Sequence, residues 1–103
     1  MIPDAAMGDA TAPVPIRMQN PIYPFESRRK KVEGVVLVEL VVGKNGKVVE
    51  AHAISSPDPL LSQAAVTALL QAEFRPAMRA GVPVAVRIQV PITFDLKANP
   101  PAK

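Results

Sequence analysis

The most constraining feature of this 103-residue chain is a strict alternation of side chains over residues 84–96. Every second position there is apolar: Val84, Val86, Ile88, Val90, Ile92, Phe94 and Leu96. A period of two residues is the spacing of a β-strand that buries one face. Pro91 lies inside the segment and has no N–H to donate, and prolines in sheets are confined to edges and bulges. We therefore predict one long strand at a sheet edge, which a protein must either cover or use.

Two further strands are predicted as a hairpin. Segments rich in β-branched residues, 35–42 and 47–54, flank Asn45-Gly46, a dipeptide that favours a two-residue turn. The hydrophobic pattern selects the register that puts the apolar residues of both strands on one face. That register pairs Val42 with Val49, Leu40 with Ala51, Val38 with Ala53, Val41 with Glu50, and Glu39 with His52.

Two helices complete the predicted fold. Residues 25–31 follow Pro24 and carry acid early and base late, which is typical of a short helix. Asp58 is a good N-cap for a longer helix that begins at Pro59 and ends near residue 72. A right-handed crossover through this helix puts the third strand beside the first. The predicted fold class is α+β: a three-stranded antiparallel sheet of order 2-1-3 with one short and one longer helix on one face.

The distribution of proline predicts the domain boundaries. Residues 1–24 hold five of the twelve prolines, and proline is incompatible with a helix interior or a central strand. We therefore predict a flexible linker over 1–19, a folded domain over 20–97 and a disordered tail over 98–103. Residues 1–12 lack the regions of a signal peptide. No stretch reaches the roughly 18 apolar residues of a membrane span, so we expect any membrane anchor to lie outside these 103 residues.

Composition excludes several classes of function. The chain has no Cys and one His, so a thiolate zinc site, a Cys nucleophile and a His cluster are excluded. It carries no phosphate loop or dinucleotide fingerprint, and a net charge of +3 does not indicate nucleic-acid binding. His52 is expected on the solvent face opposite Glu39. We predict no catalytic residue, no metal site and no cofactor, and therefore no enzyme.

Several short motifs, taken together in their order, resemble one known family. They are Tyr23-Pro24, Glu33-Gly34-Val35-Val36, Gly46-Lys47-Val48, Ser55-Ser56-Pro57, Ala64-Ala65, Phe74-Arg75-Pro76-Ala77 and Pro91-Ile92-Thr93-Phe94. Spread over about 75 residues, they resemble the C-terminal domain of TonB-type energy transducers. Two positions depart from the family pattern: Asn20 replaces the Gln of the QPxYP segment, and Ala72 stands where the family often has Trp.

The resemblance implies a function. Domains of this family lie in the periplasm of Gram-negative bacteria, attached to an inner-membrane anchor through a proline-rich spacer. They bind the TonB box of outer-membrane transporters as an added strand and transmit force from ExbB/ExbD-type motor proteins. Carried onto this chain, the partner-binding residues are those of the QPxYP-like segment and of the last strand: Asn20, Pro21, Ile22, Tyr23, Pro24, Arg87, Ile88, Gln89, Val90, Pro91, Ile92, Thr93 and Phe94.

Some alternatives stay open from the sequence. One is a TonB-like structural or sensory adaptor of the cell envelope without a transport role. An enzyme that uses His52 is a weaker rival. The long free edge also permits a homodimer, and Tyr23 is expected either to pack on the core or to contact a receptor. The transported substrate (an iron chelate, haem, cobalamin or a sugar) is equally open.

Overall fold

A computed structural model describes residues 10–97 of the chain. Its elements, in chain order, are β1 (Ala10–Thr11), β2 (Val14–Arg17), α1 (Phe25–Arg29), β3 (Gly34–Val42), β4 (Val48–Ser55), α2 (Pro59–Leu70), β5 (Glu73–Arg75), β6 (Ala77–Arg79), β7 (Val82–Val84) and β8 (Val86–Phe94).

The three long strands form the central sheet. They are antiparallel and lie in the order β4-β3-β8, which is the predicted order of the three long strands. The α+β class is therefore confirmed. The sheet system is larger than predicted, because β1, β6 and β7 form a second small sheet and β2 pairs with β5. The segment that follows α2 contributes two of these short strands, since Phe74 and Arg75 belong to β5 and Ala77 to β6.

The core lies between the central sheet and α2. The even-numbered residues of β3, from Val36 to Val42, are fully buried and pack with Leu61, Ala65 and Leu69 of α2. As predicted, α2 begins after Asp58, whose carboxylate accepts a hydrogen bond from the Leu60 N–H (N···O 2.7 Å).

Both helices are shorter than predicted. α2 ends at Leu70, two residues before the predicted end. α1 ends at Arg29 rather than at residue 31, because Lys31 has a left-handed backbone conformation with φ of 58° that does not continue a right-handed helix.

The predicted two-residue turn at Asn45-Gly46 is wrong. The Gly46 N–H donates to the Gly43 carbonyl (2.9 Å), so the central residues of the turn are Lys44 and Asn45. The Gly43 N–H donates in turn to the Lys47 carbonyl (2.8 Å), which leaves Gly46 as an extra residue with φ of +83°. This is a three-residue hairpin loop with a glycine bulge. A two-residue type I′ turn would need positive φ at Asn45 too, and only Gly46 has it.

The bulges change the register at the two ends of the hairpin only. Val42 pairs with Val48 rather than with Val49, and Leu37 pairs with Ser55. The four predicted pairs between these ends are confirmed: Leu40 with Ala51, Val38 with Ala53, Val41 with Glu50, and Glu39 with His52. The hydrophobic pattern therefore predicts the register wherever one face of the strand is buried.

The predicted strand over 84–96 is too long at both ends. Val84 belongs to β7, which pairs back onto β6 across a turn at Ala80-Gly81, and β8 begins only at Val86. At the other end β8 stops at Phe94. The Leu96 N–H donates instead to the Glu33 carboxylate (N···O 2.8 Å), so a side chain rather than a strand satisfies it.

Part of the predicted linker is in strands. Within 1–19, β1 pairs with β6, and β2 pairs with β5. Pro15 is compatible with β2 because β2 is one of two strands and so has an edge toward solvent. Residues 1–9 of the predicted linker and the predicted tail over 98–103 lie outside the described residues, and the domain boundaries stay predictions.

Candidate partner-binding edge

The direction of the β8 backbone groups follows from the hairpin. The Gly43 N–H points toward β4, since it donates to Lys47. Successive N–H groups of a strand point to opposite sides, so the even-numbered residues of β3 direct theirs toward β8. Their partners in β8 are also even-numbered, as in the pairs Leu40 with Ile88 and Val38 with Val90. The odd-numbered residues of β8 therefore direct their backbone groups away from β3.

Four residues present backbone groups at this outer edge: Arg87, Gln89, Pro91 and Thr93. All four are exposed. No strand within residues 10–97 pairs with this side of β8, which is the last strand of the central sheet. Three of the four supply an N–H and all four supply a carbonyl, because Pro91 lacks the N–H. We call these backbone groups the β8 edge.

The other predicted site residues of β8 have a structural role. Ile88, Val90 and Ile92 are half-buried and pack against the core from the same face as Phe94, which is only 1% exposed. Their N–H and carbonyl groups face β3 and are used within the sheet. They are therefore available to a partner only through the uncovered part of their side chains.

A charged group lies beside the β8 edge on the solvent face of the sheet. The Glu39 carboxylate of β3 lies 3.3 Å from His52 Nε2 on β4 and 4.0 Å from Arg87 Nε on β8. The predicted cross-strand pair of Glu39 with His52 is confirmed. The Arg87 side chain remains partly exposed, and its guanidinium is directed toward Glu39 of β3.

Tyr23 anchors the C-terminal end of β8. Its ring meets the Phe94 ring edge to face, with centroids 5.3 Å apart and an interplanar angle of 84°. Its hydroxyl donates to the Val32 carbonyl. Burial raises the pKa of the Tyr23 hydroxyl, and the nearby Glu33 and Asp95 carboxylates raise it further. Of the two roles that the sequence left open for Tyr23, the structure supports core packing.

The rest of the QPxYP-like segment lies against α2 and not against β8. Asn20, Pro21, Ile22 and Pro24 form one wall of a groove of about 300 Å³. The opposite wall is formed by α2 and its C-cap: Gln63, Ala64, Thr67 and Ala68 lie on the helix, and Gln71 directly follows it. Ile22 is 77% exposed. The predicted site residues therefore fall into two surfaces, and Tyr23 is the contact between them.

Sequence reasoning missed the contribution of α2 to this groove. The helical period places Gln63, Thr67 and Gln71 away from the core. That signal shows that these residues are on the surface, but it does not show which segment of the chain lies opposite them.

Two kinds of feature, a metal-binding cluster and a membrane-spanning helix, are absent from the described part of the chain. Residues 10–97 contain no group of three or more His, Cys, Asp or Glu side chains that could hold a metal ion. None of the helices described has both the length and the apolar character needed to cross a bilayer.

One family accounts for this fold and for the motif order. The sequence model described as Gram-negative bacterial TonB protein C-terminal matches residues 19–96. The chain belongs to the TonB C-terminal domain family. The matched range includes both the QPxYP-like segment and the whole of β8.

Two relatives support the assignment to the TonB C-terminal domain family. Protein TonB of Vibrio cholerae serotype O1 is 37% identical over 79 residues, which cover 76% of this chain and 32% of that protein. The chain thus spans about a third of the length of this curated relative. The solution NMR structure of the Pseudomonas aeruginosa TonB C-terminal domain matches with a TM-score of 0.68 at 22% identity, covering 89% of this chain and 91% of that one. This second likeness shows the fold.

The departure at Ala72 from the TonB family pattern lies in the core. Ala72 is 2% exposed and packs with Phe74 and Ala77 just beyond α2. The small side chain lets the chain turn closely from α2 into β5. An indole at this position would need a repacked core.

Proposed function

We propose that the β8 edge binds the TonB box of an outer-membrane transporter as an added β-strand. Two observations support the proposal. The family is one of energy transducers, and β8 presents a row of seven outward backbone groups next to half-buried apolar side chains. In strand addition, backbone hydrogen bonds supply affinity and the alternating side chains supply specificity. A segment with apolar residues at every second position would cover Ile88, Val90 and Ile92.

The number of outward groups limits what the backbone contributes to this interaction. Three N–H groups (Arg87, Gln89 and Thr93) and four carbonyls (the same residues and Pro91) give at most seven backbone bonds. Each contributes about 0.5–1.5 kcal/mol net, and association costs at least about 4 kcal/mol, so the backbone alone leaves at most about 6 kcal/mol. Apolar contacts with Ile88, Val90 and Ile92 supply the rest of the micromolar affinity proposed, about −8 kcal/mol. Such a complex is strong enough to form and weak enough to release.

The wider role proposed is periplasmic force transmission. In this proposal the chain is the end domain of an inner-membrane-anchored transducer that ExbB/ExbD-type motor proteins drive. An added strand pulled along its length loads several backbone hydrogen bonds at once, which suits a coupling under tension. The chain acts as a binding module and performs no catalysis.

Amide NMR tests the proposal directly. We would titrate the ¹⁵N-labelled 103-residue chain with a synthetic TonB-box peptide and, as a control, with a scrambled peptide of the same composition. The expected result is saturable shifts that are largest at Arg87, Gln89 and Thr93, with slowed hydrogen exchange at these three amides. Shifts confined to α2 and residues 19–24 would place the peptide in the groove and refute the β8 edge as its site.

A further inference from the structure

Pro91 lies within the row of outward residues of β8 and has no N–H to donate. Gln89 precedes it and Thr93 follows it, and each of these presents both an N–H and a carbonyl. Proline here costs nothing within the central sheet, since its N–H position faces away from β3. Its effect falls entirely on whatever strand pairs with the outer side of β8.

In a dimer of two β8 strands, the N–H that Pro91 lacks is absent from both copies. A two-fold symmetric pairing of two β8 strands runs antiparallel and is self-complementary, so each copy contributes the same edge. Outward residues then face outward residues, for example Gln89 opposite Pro91 of the other copy. Each Pro91 that faces the partner strand leaves one of its carbonyls without a donor. The dimer therefore lacks two backbone hydrogen bonds.

In a complex of β8 with a foreign strand, only one N–H is absent, the one that Pro91 lacks. The backbone of the foreign strand supplies every N–H that the four β8 carbonyls need, so a single bond is lost. One net hydrogen bond corresponds to about a fivefold change in an association constant. Two such bonds correspond to about 25-fold.

We propose that Pro91 makes the β8 edge select a foreign strand over a second copy of this chain. The preference for a foreign strand rests on the proposed function, whereas the weakening of the homodimer does not. An exposed edge strand is an aggregation hazard that proteins manage with prolines and charges. At this position one proline limits self-association and still leaves seven of the eight possible outward groups, six on the neighbouring residues and one at its own carbonyl.

The test restores the donor in the full 103-residue chain. Pro91→Val adds one outward N–H, and the control Ser55→Val adds apolar surface at an exposed position of β4, away from the β8 edge, without a new donor. Sedimentation velocity measures dimerisation, and calorimetry measures binding of a TonB-box peptide. We expect Pro91→Val to strengthen dimerisation about 25-fold and peptide binding about fivefold, and Ser55→Val to change neither by more than about twofold.

A second variant moves the proline instead of removing it. The double variant Pro91→Val with Gln89→Pro has one outward proline again, so its dimerisation should return to the wild-type level. Equal dimerisation of wild type and Pro91→Val, or an equal gain in Ser55→Val, would overturn the inference. If no variant binds the peptide, the proposed function fails, but the dimerisation comparison still decides the role of Pro91.

Discussion

The two edges of the central sheet differ in regularity. β8 pairs with β3 in one register over all nine of its residues. The β4 pairing shifts at both ends, and only residues 50–53 pair regularly with β3. The start of β4 is also tied down, since Lys47 bridges to Glu73 of β5. Bulges and short regular stretches blunt a sheet edge. The same sheet therefore has one regular edge, along β8, and one edge that bulges blunt, along β4.

The difference between the two edges follows the connections into the strands. β8 alternates exposed residues with buried or half-buried ones from end to end, whereas β4 alternates only over residues 50–54, between its two register shifts. β4 is entered through the glycine bulge at Gly46, whereas β8 follows β7 after the single residue Ala85. A connection that introduces a bulge shifts the register of its strand and leaves an irregular edge. A connection without a bulge leaves a regular edge, to which another strand can pair.

The largest expected effect tests the glycine bulge at the root of β4. In Gly46→Ala the new Cβ would lie 2.0 Å from the Phe74 carbonyl oxygen, at a φ of +83°. We expect the free energy of unfolding, measured in urea, to fall by about 3 kcal/mol or more. Gly81→Ala is the control, since Gly81 has a similar φ but open space around it, and its expected cost is about 1–2 kcal/mol. Equal losses would mean that the close approach to Phe74 is unimportant.

The second prediction tests the direction of the β8 backbone groups. Val90→Pro removes an N–H that faces β3 and should lower the free energy of unfolding by about 2–3 kcal/mol. Gln89→Pro removes an outward N–H and should change it by less than about 1 kcal/mol. Urea unfolding of both variants measures the contrast. If Gln89→Pro were the more damaging change, the assignment of the outer edge would be reversed.

The third prediction compares the two edges as binding surfaces. Gln89→Pro should weaken binding of a TonB-box peptide about fivefold, since one hydrogen bond is lost. Ala51→Pro removes an outward N–H from β4, and peptide affinity should not change. Calorimetric titration of both folded variants gives the two affinities. Equal weakening would show that the peptide does not distinguish the edges.

The smallest effect concerns the ion pair that holds the start of β4. Lys47 Nζ lies 3.0 Å from Glu73 Oε2, and this hydrogen bond, followed by the charges of Lys47 and Arg17, lowers the pKa of Glu73 below 4.5. A lowered folded-state pKa adds stability that is fully present above pH 4.5 and is lost as the pH falls through the folded value.

Unfolding curves between pH 7 and pH 3 measure this effect. The difference in stability between wild type and Glu73→Gln should be small at neutral pH and should vanish in acid. Glu50→Gln, which removes another exposed carboxylate from β4, is the control. A difference that grows as the pH falls would contradict the assigned direction of the Glu73 pKa.

The sequence predicted most of the framework because its signals are local or periodic. The alternation along β8, the N-cap at Asp58 and the motif order needed no tertiary information. The predicted turn at Asn45-Gly46 was wrong, because two loop geometries suit the same dipeptide. The close approach of Gly46 to Phe74 depends on a segment 28 residues further along the chain, which no local pattern reveals.

The candidate site was predicted in part. Pro91 predicted that its strand lies at a sheet edge, and β8 is an edge strand of the central sheet. The sequence did not show whether the odd-numbered or the even-numbered residues of β8 direct their backbone groups outward. That choice depends on which residues of β3 direct their backbone groups toward β4. The groove beside Ile22 was not predicted either, because residues 19–24 and α2 are joined only through tertiary packing.

By itself, the sequence determined the α+β class, the three long strands with the middle of their register, and the family. The class and the register follow from burial, which imposes a period on the residues themselves, and the family follows from the order of the short motifs. Tertiary structure alone decided which backbone groups of β8 face outward, how the β4 edge is blunted and where the QPxYP-like segment lies. Those features depend on how distant segments meet, and hydrogen-bond directions at an edge are set by the neighbouring strand rather than by the residues that carry them.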